Sequence, residues 1–147
     1  MIDDLKTAVS VRYEVKLDEQ KLGEFTGCEG LGVEVVLESR EEGGNNLYVW
    51  QFPTRLKYPN IKLSRPVYEG SSEMVINWIL STTGGMKRST GSIVAKTSKG
   101  AVVASWAIND VIPVRWTGPG FSSDQPKVLT ETLEIAHHGF ISTGAKY

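Results

Sequence analysis

The chain has 147 residues, 40% of them hydrophobic, which is enough to bury the core of one ordinary domain without covalent staples. Sixteen Lys and Arg against seventeen Asp and Glu leave a formal charge of −1, which argues against a nucleic-acid module resting on a net basic surface and leaves only local patches open. Cys28 is the only cysteine, so neither an intrachain disulfide framework nor a multi-cysteine zinc site can form, and synthesis in a reducing cytosol is expected.

Residues 1–6 are acidic and lack the apolar stretch of a signal peptide. No later run approaches the ~18 uninterrupted apolar residues of a membrane helix, so no stable membrane insertion is expected. Residues 1–147 are expected to form one domain. Along 11–17, Val11, Tyr13, Val15 and Leu17 alternate with Arg12, Glu14 and Lys16, the pattern of a half-buried antiparallel strand. After a polar turn, 22–26 returns as a second strand and Gly27 to Gly30 break it at a bulge or bend.

Residues 31–38 and 47–52 again alternate with period two and predict a long β-hairpin, with Pro53 ending its second arm for want of an N–H. Its connection is Ser39, Arg40, Glu41, Glu42, Gly43, Gly44, Asn45 and Asn46, longer than the roughly two to five residues of an economical hairpin. A charged, glycine-hinged extension that closes no tight turn costs ordering entropy and has to gain contacts elsewhere. Those contacts are expected on another subunit.

Residues 61–64 predict a short strand stopped by Pro66. The period then changes. Ser71 and Ser72 suit a helix cap, Glu73 the first turn, and Met74, Val75, Trp78 and Ile79 recur at three- and four-residue spacing until Gly84 and Gly85. This predicts one helix whose apolar stripe covers the open side of the sheet, with Trp78 docking beside Trp106. Strands are predicted at 92–97 and 101–108 around a turn at Ser98, Lys99 and Gly100, then at 112–116 and 128–136. Seven or eight strands and one helix point to a mainly β fold, an antiparallel sandwich or barrel with a packed helix.

No constellation carries catalysis, a metal or a cofactor. His137 and His138 are adjacent, and neighbours on a strand point to opposite faces, so they do not converge on one ion. Serine occupies no Gly-x-Ser-x-Gly elbow. Cys28 has Glu29 beside it, which raises rather than lowers a thiol pKa and favours a small structural hydrophobe. Gly43-Gly44 and Gly84-Gly85 lack the strand-to-helix context of a phosphate loop. Glu131 falls on the apolar face of the last strand, where an ion pair with Arg115, or with an arginine of a neighbouring subunit, is favoured over a catalytic acid. Trp78 and Trp106 lie on core faces, whereas Trp50 and Trp116 could serve a ligand.

Segments 22–26 and 30–34, then 40–46, then 57–63, followed by the helix around Trp78 and the runs 105–113 and 131–140, together resemble the inner tube proteins of contractile phage tails and phage-tail-like injection systems. The resemblance runs in order over nearly the whole chain. It implies a structural protein rather than an enzyme: a hexameric ring that joins its sheets around a lumen and stacks into a tube, with the extension at 39–46 as the ring-stacking loop. The implied partners are further copies of the chain, sheath and baseplate proteins, and a payload protein or DNA in the lumen. Assembly is implied in the bacterial cytoplasm, into a particle that can be released. Pro53-Thr54 stands where the family usually has Pro-Gly, and Leu63-Ser64-Arg65-Pro66 where it has a Leu-Lys-Arg-Gly-like run. These departures keep open a paralogue that starts or caps the tube; from another class, a monomeric β-sandwich binding a ligand through Trp50 and Trp116 also stays open.

Overall fold

The computed structural model describes residues 11–18, 20–44, 46–85, 88–120 and 128–141. They form β1 (Val11–Leu17), β2 (Lys21–Phe25), β3 (Gly27–Glu29), β4 (Glu34–Arg40), β5 (Trp50–Lys57), β6 (Ile61–Pro66), α1 (Ser71–Ser81), β7 (Ser89–Thr97), β8 (Val102–Thr117) and β9 (Thr130–Ala136). Seven strands make one antiparallel sheet in the order β2-β1-β7-β8-β9-β6-β3, while β4 and β5 pair only with each other. The mainly β, antiparallel architecture with one packed helix is therefore the one expected from the alternation.

The large sheet closes on itself through two devices. Strand β8 pairs with β7 up to Val111 and with β9 from Ile112 onward, so a single long strand serves both halves of the sheet. Asp110, at φ 51, sits where it changes partner. At the other side Thr26 separates β2 from β3, the two ends of the strand order, and its N–H donates to the Ser64 carbonyl at 2.9 Å. The inward positions of each strand, among them Val15, Leu22, Phe25, Ile61, Leu63, Ile93, Leu133 and Ile135, fill the interior. Helix α1 adds Val75 and Trp78 to this core, and Trp106 packs against it half-buried.

Several local expectations change. The strands predicted at 101–108 and 112–116 are one strand. Pro113 is tolerated inside it because β8 has lost β7 by that point and a register shift follows between Pro113 and Arg115. Pro53 likewise does not end its arm: it pairs with Leu37 beside a bulge, and the Thr54 hydroxyl donates to the Val36 carbonyl at 2.8 Å. Ser71 and Ser72 do not cap α1. Gly70 does, in a left-handed conformation at φ 81 with no side-chain cap, which frees both serines for tertiary bonds. The Tyr68 N–H donates to the Ser71 hydroxyl at 3.0 Å, and the Ser72 hydroxyl donates to Glu131 at 2.6 Å.

Candidate functional site

Among the described residues, the hairpin of β4 and β5 is the part with no cover. All eight residues of β5 are exposed, and on β4 only Val36 is half-buried. Register sorts the side chains onto two faces. Arg40 pairs with Trp50, Glu38 with Phe52, Val36 with Arg55 and Glu34 with Lys57, giving one face of charges and aromatics. Leu37 pairs with Pro53 and Val35 with Leu56, which with Val33 makes the other face a continuous apolar stripe. Val33, Val35, Leu37 and Leu56 are each between 47% and 54% exposed.

The loop expected at 39–46 is shifted. Ser39 and Arg40 belong to β4, and the connection comprises residues 41–49, of which Asn45 lies outside the described residues. Glu41, Glu42, Gly43, Gly44 and Asn46 are exposed, with Gly44 turning the chain at φ 90. The Trp50 indole N–H donates to Glu42 Oε2 at 2.8 Å, and the rings of Tyr48, Trp50 and Phe52 follow one another at 5.3 and 6.2 Å. The tip is therefore ordered by its own aromatic row.

Glu131 is buried as expected, but its arginine is Arg65 and not Arg115. Arg65 and Glu131 face each other across β6 and β9, and both are 1% exposed. Arg65 Nε donates to Glu131 Oε1 at 2.7 Å; its other nitrogens reach the carbonyls of Leu22 at 2.6 Å and Ser71 at 2.8 Å and the Tyr68 hydroxyl at 3.2 Å. The guanidinium lies 4.3 Å above the Phe25 ring. Glu131 Oε2 accepts from the Ser72 hydroxyl and from the Trp116 indole at 3.1 Å. Burial pushes the Glu131 carboxyl up, and the bonds from Ser72, Arg65 and Trp116 outweigh it, holding it below the ordinary carboxylate range. Arg115 is exposed opposite Glu134, because the shift after Pro113 gives the inward place to Trp116.

This network ties β2, β6, β8, β9 and the start of α1 together, with both charges neutralised and hydrogen-bonded inside the body. The Trp116 indole is committed to Glu131, and Trp50 stands on the separate two-stranded sheet. Cys28 is half-buried, and burial with the Glu29 charge pushes its thiol up to about 11, away from the lowered values of reactive thiols. Glu14, read from the sequence as lying on a polar face, is buried under three lysines: Lys96 bonds one oxygen, while Lys21 at 3.1 Å and Lys16 at 3.3 Å meet the other. These lysines hold its carboxyl down at about 2.

Among the described residues no group of three or more His, Cys, Asp or Glu could hold a metal, and no helix is long and apolar enough to cross a membrane. Among the described residues the hairpin of β4 and β5 is the most exposed surface, and it is the candidate functional site.

Comparison with known proteins gives the fold and the family. Among solved structures, the chain superposes at a TM-score of 0.75 on a chain of the six-fold symmetrised baseplate of the anti-feeding prophage, with 16% identity over 92% of this chain and 93% of that one. A chain of the PVC extracellular contractile injection system sheath-tube complex in the extended state gives 0.74 and 18% identity, covering 96% of both. A chain of the sheath/tube terminator of that system gives 0.72 and 20%, covering 88% of this chain and 91% of the other. No curated protein sequence matches. These likenesses establish the fold; the family is fixed by residues 9–141, which match T4-like virus tail tube protein gp19, and the chain belongs to that tail tube family.

Proposed function

We propose that this chain is a wall subunit of such a tube, closing into hexameric rings that stack around a lumen, with the β4–β5 hairpin as the connector between copies. The observation that carries this is the uncovered hairpin. A lone two-stranded sheet is marginal in water, and one with apolar residues half exposed along a whole face gains its stability from a second surface. Pairing of like copies around a closed ring also removes the free edges of β4 and β5. The segment 39–46, in its observed setting at the end of β4 and in the loop, supplies both signs of charge, which set register between rings more than they add affinity.

On this reading sheath and baseplate proteins are the outer partners, and a protein or DNA payload occupies the lumen. The work is mechanical and requires no catalysis. Synthesis and assembly take place in the bacterial cytoplasm. Removing residues 43–46 tests the connector directly. The shortened protein keeps its circular-dichroism spectrum and melting temperature, since no core residue is lost, and gives isolated rings or monomers under conditions in which the parent gives tubes by negative stain. Tubes of normal length from the shortened protein would end the claim.

A further inference from the structure

The β5 root of the hairpin packs on a buried histidine, and the β4 root lies against that same segment. Tyr58 follows directly on β5, and its ring lies 5.4 Å from that of His137 and 5.9 Å from Phe140, with His137 and Phe140 5.5 Å apart. The approach depends on Gly139, at φ 121, where a Cβ would come within 2.8 Å of the Tyr58 ring. On the other arm, a Cβ at Gly30 would come within 2.1 Å of the Asn60 carbonyl oxygen, so the chain entering β4 lies against the chain leaving β5. Residues 138–141 continue past β9 along β8, through Asn109 N–H to the Gly139 carbonyl, His138 N–H to the Asn109 carbonyl and Ile141 N–H to the Ala107 carbonyl at 2.8–2.9 Å.

His137 is 6% exposed and accepts the Gly139 N–H on Nδ1 at 3.1 Å. That bond places the ring proton on Nε2, which is buried and makes no hydrogen bond of ordinary geometry, the Pro59 backbone offering the ring only a weak contact. A second proton has nowhere to go but Nδ1, where it would point at the Gly139 N–H, donor against donor. The surrounding groups offer the cation little. His138 is a like charge when protonated and turns its own ring to Asp110 at 3.2 Å and Arg88 at 3.0 Å, Tyr58 presents its ring, and His137 forms no ion pair among the described residues.

We propose that His137 is an acid-responsive pin at the root of the hairpin: its protonation breaks the Gly139 bond, loosens the Tyr58–His137–Phe140 stack and unseats β4–β5. Burial lowers the His137 pKa, against weaker support for the charged form from the Gly139 and Pro59 backbone. With the folded-state value below the unfolded one, local stability is full above the ordinary value of 6.5 and is lost as pH falls from there through the depressed value. The consequence for assembly rests on the hairpin's proposed role as connector, whereas the pin itself does not.

The test compares hydrogen exchange of peptides covering 58–61 and 137–141 in the whole protein at about pH 7.5 and about pH 5, corrected for intrinsic exchange, with sedimentation at both values. Wild type is expected to lose protection about tenfold in both peptides at the lower pH, relative to peptides from β7. His137→Gln, which cannot charge, is expected to exchange equally at both, and His138→Gln to behave as wild type. Should His137→Gln not fold, the wild-type imidazole signals decide. A His137 ring that titrates at or above the ordinary histidine range, or a Gly139 amide unmoved by its titration, overturns the pin. Protection lost while assemblies persist upholds the pin and removes the connector; protection intact at the lower pH overturns the pin whether or not assemblies disperse.

Discussion

The seven-stranded body and the two-stranded hairpin are written in the same code of alternating side chains, yet only one of them satisfies it within the chain. On β6 and β9 the alternate positions Ile61, Leu63, Leu133 and Ile135 are at most 1% exposed. On β4 and β5 the equivalent positions Val35, Leu37 and Leu56 remain about half exposed. Period two therefore specifies which face is to be covered and leaves open what covers it. In the body the cover is the same sheet curling back and α1; at the hairpin no described residue of the chain supplies it, and a second copy is the cover proposed above.

The difference is largest where the body buries charge. Arg65→Ala leaves Glu131 ionised in the core with one oxygen stripped of its partner, and Glu131→Ala does the converse to Arg65. Each is expected to cost about 3–5 kcal/mol by urea unfolding, the range for breaking a buried pair from one side. Replacing both, as Arg65→Met with Glu131→Leu, is expected to cost much less than the two single changes together, because no unpaired charge remains. Losses below ~1 kcal/mol in the single variants would mean that this network does not hold the sheet and helix together, erasing the contrast with the hairpin.

How legible the pair was in the sequence is instructive. Glu131 stands out among Leu129, Leu133 and Ile135, but the strand predicted at 61–64 ends one residue short of the partner. Ile61, Leu63 and Arg65 share the same period-two face, so extending that strand up to Pro66 finds the arginine. Pro66 is its last residue, a position at which a missing N–H is tolerated. Pro53 misled in the same way, since a bulge on a two-stranded ribbon accommodates it. The helix lies where its spacing puts it, yet Ser71 and Ser72 have cap chemistry without capping it, and only the tertiary fold shows that Tyr68 and Glu131 claim them. Glu14 was unreadable for a related reason. Its strand face is polar, and it is buried by the lysine side chains that cover it, not by an apolar layer.

Glu14 gives a smaller, pH-dependent effect in the body. Its carboxyl drops from 4.5 to about 2 on folding because Lys96 and Lys21, and less strongly Lys16, bond to it. A lowered folded-state value means that the stabilisation is complete above the unfolded value and is lost as pH falls from about 4.5 through about 2. Since Lys16 and Lys21 are more than half exposed and screened by salt, Glu14→Gln is expected to cost only about 1–2 kcal/mol at neutral pH. It should also flatten the stability profile across that acid window. Urea midpoints at pH 7, 4 and 3 check both points, and an unchanged acid slope in the variant would assign the acid sensitivity elsewhere.

The smallest effect on stability is expected from the residues that matter most to the proposed assembly. Val35→Ser combined with Leu37→Ser polarises the apolar face of the hairpin without touching a buried contact of the body. In the isolated subunit the two changes together should cost no more than about 1 kcal/mol, the loss being mainly of strand propensity at exposed positions. In assembly the same two residues, repeated at every copy, remove the apolar cover along the whole contact, so rings or tubes should fail to form at concentrations where the parent assembles. Melting curves and negative-stain images of one preparation separate the two quantities. A body-sized loss of stability would mean that the stripe is packed within the chain after all, and normal tubes would mean that its cover is something other than a second copy. Only a null result in the melt together with a loss of assembly keeps the body and the hairpin as distinct as their exposure makes them.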